Sequence, residues 1–265
     1  MPTVKCYLCG NLIEGETSGD HVIPKAMLDG RQPRVKGFDY AGKLPKHAKC
    51  NNEFGPEIYV AKALDVISAV HDERCYFKYP HPENLTFMMM ALNSSCLPAF
   101  TKRELAFFKI TDVQSKSNSE LHDLSLLKDR PPVDLKRQAL FTALAVLTKS
   151  AAALLVSRKI KYVPSHWDVL AIPYVGEADA VNFDDLFGST EPFDIGVKVW
   201  LAALETEDFL VIYRARKVIV FFLFRFSANP EAWTRMLSGF KNATRLQFKS
   251  PVLRDLVDYE WEIVR

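Results

Sequence analysis

Apolar and polar positions along the chain predict helices at two places in particular. Apolar residues recur at 59, 60, 63, 64, 67 and 70, which is helical spacing, and Pro56 stands at a helix-start position before them. A longer helix is predicted from Leu135 to about Lys159, because small and large apolar side chains occur all round it. A helix of that kind is expected at the centre of a core.

Strands are predicted in the second half of the chain. Three runs rich in β-branched and aromatic residues follow one another with short turns between them, which favours an antiparallel meander. These runs cover residues 195–204, 209–215 and 218–226, and a helix at 229–240 and a strand at 259–264 follow them. The expected fold class is α+β, with a long buried helix and an antiparallel β-meander.

The beginning of the chain has shorter segments. Residues 19–22 are predicted to form a strand that Pro24 ends, and residues 35–40 are predicted to form the strand that returns beside it. From Ala48 onward the chain is predicted to be helical, which places Cys50 and Asn51 in a first helical turn.

Composition and charge narrow the class of protein. The chain has 265 residues, of which 48% are apolar and 25% charged, and its formal net charge is +2. These values are ordinary for a soluble globular protein, and the net charge alone does not indicate nucleic-acid binding. The N-terminus lacks a signal-peptide pattern, and Lys149 and Ser150 interrupt the most apolar stretch. A cytoplasmic protein without a membrane partner is therefore expected.

Two pairs of closely spaced ligands predict a zinc site. Cys6 and Cys9 form a C-x2-C pair followed by Gly10, and His47 and Cys50 form an H-x2-C pair. A two-residue spacer lets a tight turn direct both side chains at one ion, and four N or S ligands suit tetrahedral zinc. A disulfide is the alternative, which a cytoplasmic setting disfavours.

The residues between and after these pairs resemble the HNH, or ββα-metal, endonuclease motif. The motif has C-x2-C, then an acidic residue and His with Pro three residues later, then C/H-x2-C followed by His or Asn. Its parts are matched in order by Cys6/Cys9, by Asp20-His21 with Pro24, and by His47/Cys50-Asn51, over about the first fifty-five residues.

The resemblance implies both a fold and a chemistry. It implies that zinc pins a β-hairpin to a helix, that His21 is the general base, and that Asp20 and Asn51 hold a catalytic Mg²⁺ or Mn²⁺ ion. Since 265 residues leave room for two domains, the expected division is a nuclease module at residues 1–58, with structural zinc, and an α+β domain of unknown role at residues 59–265.

The chain departs from the motif at one position. Many HNH motifs carry a middle Asn that hydrogen-bonds the backbone around the catalytic His, and no Asn occurs between Val22 and Cys50. Backbone groups or the side chains of Gln32 or Asp39 are the candidates left open for that role.

Basic residues are concentrated around the motif. Seven of them occur between residues 25 and 49: Lys25, Arg31, Arg34, Lys36, Lys43, Lys46 and Lys49. A basic face suits a phosphodiester substrate, and Lys25 and Lys49 are the candidates for phosphate contacts.

The expected function is a metal-dependent endonuclease acting on DNA, with other nucleic acids left open. A role as a regulated effector in anti-phage defence is an expectation from fold-level analogy only. The alternative is a catalytically degenerate zinc-knuckle protein that binds nucleic acid or acts as an adaptor. A protein partner or an activating signal acting through residues 59–265 also stays open.

Overall fold

A computed structural model describes most of the chain. The described residues are 4–15, 17–27, 44–69, 97–110, 121–122, 135–160, 162–175, 197–204, 207–238 and 245–264.

The N-terminal part contains a short hairpin followed by a helix. Strand β1 (Thr17–Asp20) pairs antiparallel with β2 (Leu44–His47), and helix α1 (Ala48–Glu53) begins at the residue after β2. The helix from Ala48 is as predicted. The strand that pairs with β1 is β2, whereas the predicted return strand at 35–40 lies outside the described residues.

The first strand begins and ends earlier than predicted. Successive side chains of a strand point to opposite faces, so a strand with one exposed face alternates buried and exposed residues. Val22, Ile23 and Pro24 are all buried, and the chain has therefore left the hairpin by His21. A 3₁₀ turn (Lys25–Met27) follows.

A six-stranded antiparallel sheet forms the largest layer of the molecule. Its strands are β5 (Trp167–Val175), β6 (Val197–Ala203), β7 (Phe209–Ala215), β8 (Val218–Phe224), β9 (Arg245–Ser250) and β10 (Glu262–Val264). They lie in the order β10-β9-β5-β8-β7-β6. The meander predicted from sequence is confirmed as β6, β7 and β8, and β10 falls inside the predicted last strand. Strands β5 and β9 were not among the elements predicted from sequence.

The remaining described elements are helical or very short. They are α2 (Val60–Ser68), α3 (Lys102–Phe107), α4 (Leu135–Leu155) and α5 (Pro230–Ser238), the 3₁₀ turns Gly55–Tyr59 and Leu253–Val257, and the strand pair β3 (Phe100–Thr101) with β4 (Leu121–His122).

Helix α4 is the long buried helix predicted from sequence. It ends in a π-helical turn (Val156–Ile160). Its stretch Leu135–Arg158 is long and apolar enough to cross a membrane, but 89% of its most apolar window is buried inside the protein. That degree of burial is typical of the core helix of a soluble protein.

One hydrophobic cluster runs through both parts of the predicted division. It contains Cys6 and Phe54 from before residue 58 and Leu144, Phe222 and Trp261 from after it. The fold is therefore mixed α and β with an antiparallel sheet and a long buried helix. The division at residue 58 stays a prediction, and apolar packing crosses it.

Candidate metal centre and adjoining polar site

A tight turn carries the first pair of cysteines. Lys5 pairs with Leu12 as an antiparallel bridge, and inside it the Cys6 N–H donates to the Asn11 carbonyl at 2.8 Å. The Gly10 N–H donates to the Cys6 carbonyl at 2.8 Å, and Gly10 has a φ of +75°, a conformation in which glycine avoids the strain of a side chain. Residues 5–12 therefore form a tight turn that contains both Cys6 and Cys9, and we call this turn the knuckle.

The second pair stands where β2 becomes α1. His47 is the last residue of β2 and the residue before α1, and Cys50 lies in the first turn of that helix. A side chain at a helix start and one three residues later lie on the same side of the helix, so both can face the knuckle.

These elements bring the four predicted ligands together. We call the group the Cys3His cluster: Cys6, Cys9, His47 and Cys50. Its four donor atoms all lie within 4.8 Å of one another. His47 Nδ1 is 3.4 Å from Cys9 Sγ and 3.9 Å from Cys50 Sγ. Tetrahedral zinc separates nitrogen and sulfur ligands by about 3.5 Å, given metal–ligand bonds of about 2.0 and 2.3 Å. The cluster could hold a metal ion, and its donors and spacing are consistent with zinc.

The orientation of His47 also suits a metal ligand. Its Nε2 lies 3.1 Å from the Leu12 carbonyl oxygen. A carbonyl only accepts, so Nε2 carries the proton and Nδ1 keeps its lone pair directed at the cysteines. An outer hydrogen bond of this kind fixes the tautomer of metal-binding histidines in many proteins.

The thiols of the cluster affect one another. Burial, together with the nearby charges of Cys6 and Cys9, raises the pKa of Cys50 to about 12. Burial also raises the pKa of Cys6, but hydrogen bonds from the backbone of His47, Cys9 and Leu8 outweigh it and leave that pKa below its ordinary value. All three cysteines are free thiols. A bound cation would stabilise their thiolate forms against mutual repulsion.

The Asp-His pair lies at the end of β1. Asp20 is the last residue of that strand and pairs in register with Leu44. His21 follows as a half-buried residue, and the chain then enters the buried segment Val22–Pro24.

Both polar atoms of the Asn51 side-chain amide form hydrogen bonds to the hairpin. Its Nδ2 donates to Ser18 Oγ at 3.1 Å, and its Oδ1 accepts a hydrogen bond from Lys46 Nζ. Ser18 and Lys46 are opposite each other in the β1–β2 register. The structure therefore joins Asn51 to the strand that ends in Asp20.

Lys46, Asn51 and Ser18 form a polar site beside the Cys3His cluster, and Lys46 is its buried member. It is 0% exposed, whereas it was predicted to belong to a basic surface face. The sequence gives no signal for this, because the contact depends on strand register. Lys25 and Lys49 are exposed, as phosphate contacts require, while Arg31, Arg34, Lys36 and Lys43 lie outside the described residues.

The site is packed against the rest of the protein. The Arg254 N–H donates to the Leu8 carbonyl at 2.9 Å, so the C-terminal part of the chain contacts the knuckle. Lys149 of α4 forms an ion pair with Glu57 at 2.5 Å, and its ammonium lies 4.7 Å from the centre of the Phe54 ring. The knuckle therefore contacts the C-terminal part of the chain, and the segment that follows α1 contacts α4.

Comparison of the chain with protein-family models, with curated proteins and with solved structures gave no significant match.

Proposed function

We propose that the protein is a metal-dependent endonuclease of the HNH type that hydrolyses DNA phosphodiester bonds, with zinc in the Cys3His cluster. One observation carries the proposal. Strand β1 ends at Asp20, just before His21, and its partner strand β2 runs directly into the helix that carries Asn51. The Cys3His cluster includes His47 and Cys50 from this junction of β2 and the helix.

Each residue of the proposed site would have a separate role in catalysis. His21 would accept the proton of the attacking water on a ring nitrogen, which a neutral imidazole can do near neutral pH. Asp20 and Asn51 offer hard oxygen ligands for Mg²⁺ or Mn²⁺. A divalent ion bound there would supply charge neutralisation at the scissile phosphate and the leaving oxygen. The exposed Lys25 and Lys49 would bind neighbouring phosphates.

The test is cleavage of supercoiled plasmid DNA with Mg²⁺ or Mn²⁺. His21→Ala should lower the rate by roughly two to four orders of magnitude, because it removes the general base and leaves the Cys3His cluster intact. His166→Ala is the matched control, since this exposed histidine precedes β5, and it should cut like the wild type. Equal rates for His21→Ala and wild type would refute the proposed mechanism.

One observation favours a second candidate, a zinc-knuckle protein that binds nucleic acid or acts as an adaptor without cleaving. The Asn51 oxygen that should ligate the divalent ion already accepts a hydrogen bond from the Lys46 ammonium. Salt-dependent DNA binding, with no cleavage by the wild type at any Mg²⁺ or Mn²⁺ concentration, would support this second candidate. Anti-phage defence and an activating partner for residues 59–265 remain proposals under either candidate.

A further inference from the structure

Two buried hydroxyl groups from distant elements reach the backbone beside His21. Ser150 lies in α4 and Tyr213 in β7, and both side chains are buried. The Tyr213 hydroxyl is 2.6 Å from Ser150 Oγ, and Ser150 Oγ donates to the Val22 carbonyl.

The direction of these hydrogen bonds is fixed. A carbonyl only accepts, so the single Ser150 hydrogen goes to Val22, and Tyr213 must donate to Ser150. Burial raises the pKa of Tyr213, with the hydrogen bond to Ser150 acting in the opposite direction. The phenol therefore stays protonated and keeps its donor throughout the physiological pH range.

The carbonyl that receives this bond belongs to Val22, the residue immediately after His21. Val22, Ile23 and Pro24 are buried and join β1 to the 3₁₀ turn Lys25–Met27. Fixing the Val22 carbonyl therefore restrains the backbone of the residue next to His21, and so limits how far the backbone that carries the imidazole can move. The HNH resemblance assigns a bond of the same kind to a middle Asn, which this chain lacks between Val22 and Cys50.

We infer that Ser150 and Tyr213 are positioning residues for His21, and that the large helix and sheet thereby orient the general base of the N-terminal site. The inference rests on the proposed nuclease function for its catalytic consequence. Its structural content, that the hydroxyl pair fixes the conformation at His21, can be measured without any substrate.

The neighbouring residues of α4 supply a matched control. Thr148 is fully buried, two residues before Ser150, and its hydroxyl has no hydrogen-bond partner among the described residues. Thr148→Val therefore removes a buried hydroxyl from the same helix without touching Val22. Ser150→Ala removes the hydroxyl that donates to Val22. Tyr213→Phe keeps that hydroxyl and removes only the phenol hydroxyl that donates to Ser150.

The experiment uses the full-length protein labelled with ¹⁵N-histidine. The chain has six histidines, so the ring resonances of His21 can be assigned by their loss in His21→Ala. At one fixed pH, Ser150→Ala should shift or broaden the His21 ring signals, Tyr213→Phe should do so to a smaller extent, and Thr148→Val should leave them unchanged. Unchanged His21 signals in Ser150→Ala and Tyr213→Phe would overturn the inference.

Cleavage kinetics add a second readout. Ser150→Ala should lower kcat by about 10- to 100-fold with KM nearly unchanged, because a misplaced base slows the chemical step rather than binding. Equal kcat for Ser150→Ala and Thr148→Val would also overturn the inference. If Ser150→Ala fails to fold, Tyr213→Phe decides by the same two measurements. A wild type that cuts no nucleic acid would count against the nuclease function, while the His21 signals would still decide the positioning.

Discussion

At the scale of single residues, the relation between Lys46 and Asn51 matters most. The ammonium group of the fully buried Lys46 donates a hydrogen bond to the amide oxygen of Asn51. In the proposed mechanism the same oxygen binds a divalent ion. Two cations that share one ligand repel each other, and the repulsion is stronger in a partly buried site than in bulk water. Lys46 would therefore weaken metal binding in the resting protein, and its displacement would accompany metal entry.

Lys46→Met should accordingly tighten Mn²⁺ binding by tenfold or more, about 1.4 kcal/mol, because it removes this repulsion and keeps the length of the side chain. Calorimetric titration of Mn²⁺ into protein whose Cys3His cluster is already loaded with zinc measures the change. Lys249→Met, at an exposed position in β9, should leave the affinity as in the wild type. Weaker Mn²⁺ binding in the folded Lys46→Met protein would contradict this account.

At the scale of elements, the Cys3His cluster joins the knuckle to the point where β2 becomes α1. Each of these elements is only a few residues long, and short isolated hairpins and helices are marginal in water. Their stability must come from the cluster and from packing on the rest of the protein.

Cys9→Ser should therefore lose the zinc and lower the melting temperature of the protein. Elemental analysis of the purified wild type should find about one zinc per chain, and Cys9→Ser should retain little of it. Cys75→Ser, outside the cluster, should keep the wild-type zinc content. Zinc-free wild-type protein, or full zinc in Cys9→Ser, would rule the site out.

The elements also show what the sequence could and could not predict. The cluster was predictable, because each ligand pair is local and its spacing is set by the turn or helix that carries it. Strand β5 was missed, since Val169, Leu170, Ala171 and Ile172 are buried on both faces and give no alternation. Pro173 argued further against a strand, but it lies beyond the part of β5 that pairs with β9.

The roles of Lys46, Ser150 and Tyr213 had no sequence signal strong enough to predict them. Their contacts depend on strand register and on packing between residues far apart in the chain. The polar pair Lys149-Ser150 inside an apolar helix was visible, and its meaning became clear only from Glu57 and Val22, the groups it contacts.

At the scale of the whole molecule, a buried ion pair joins the N-terminal part to α4. The Lys149 side chain is 3% exposed and that of Glu57 is 22% exposed. Breaking a buried pair from one side leaves an uncompensated charge, and the cost is larger when the remaining charge is the more deeply buried one.

Glu57→Gln should therefore destabilise the protein by about 3 kcal/mol, and more than Lys149→Met, because it takes a carboxylate away from the more deeply buried of the two charges. Chemical denaturation measures the free energy of unfolding of each variant. Glu260→Gln is the control, since its ion pair with Arg137 is exposed on both sides, and it should cost less than about 1 kcal/mol. Equal costs for Glu57→Gln and Glu260→Gln would show that burial of the first pair contributes nothing.

The hydrogen bond from Arg254 to the Leu8 carbonyl has a consequence for the order of events during synthesis. The backbone of Arg254 is made more than 200 residues after the knuckle that it contacts, a delay on the order of ten seconds or more at usual elongation rates. His47 and Cys50 are made much earlier than Arg254. A metal ion could therefore bind the Cys3His cluster of the nascent chain while the knuckle still faces solvent, and the segment around Arg254 would then cover a centre that is already loaded.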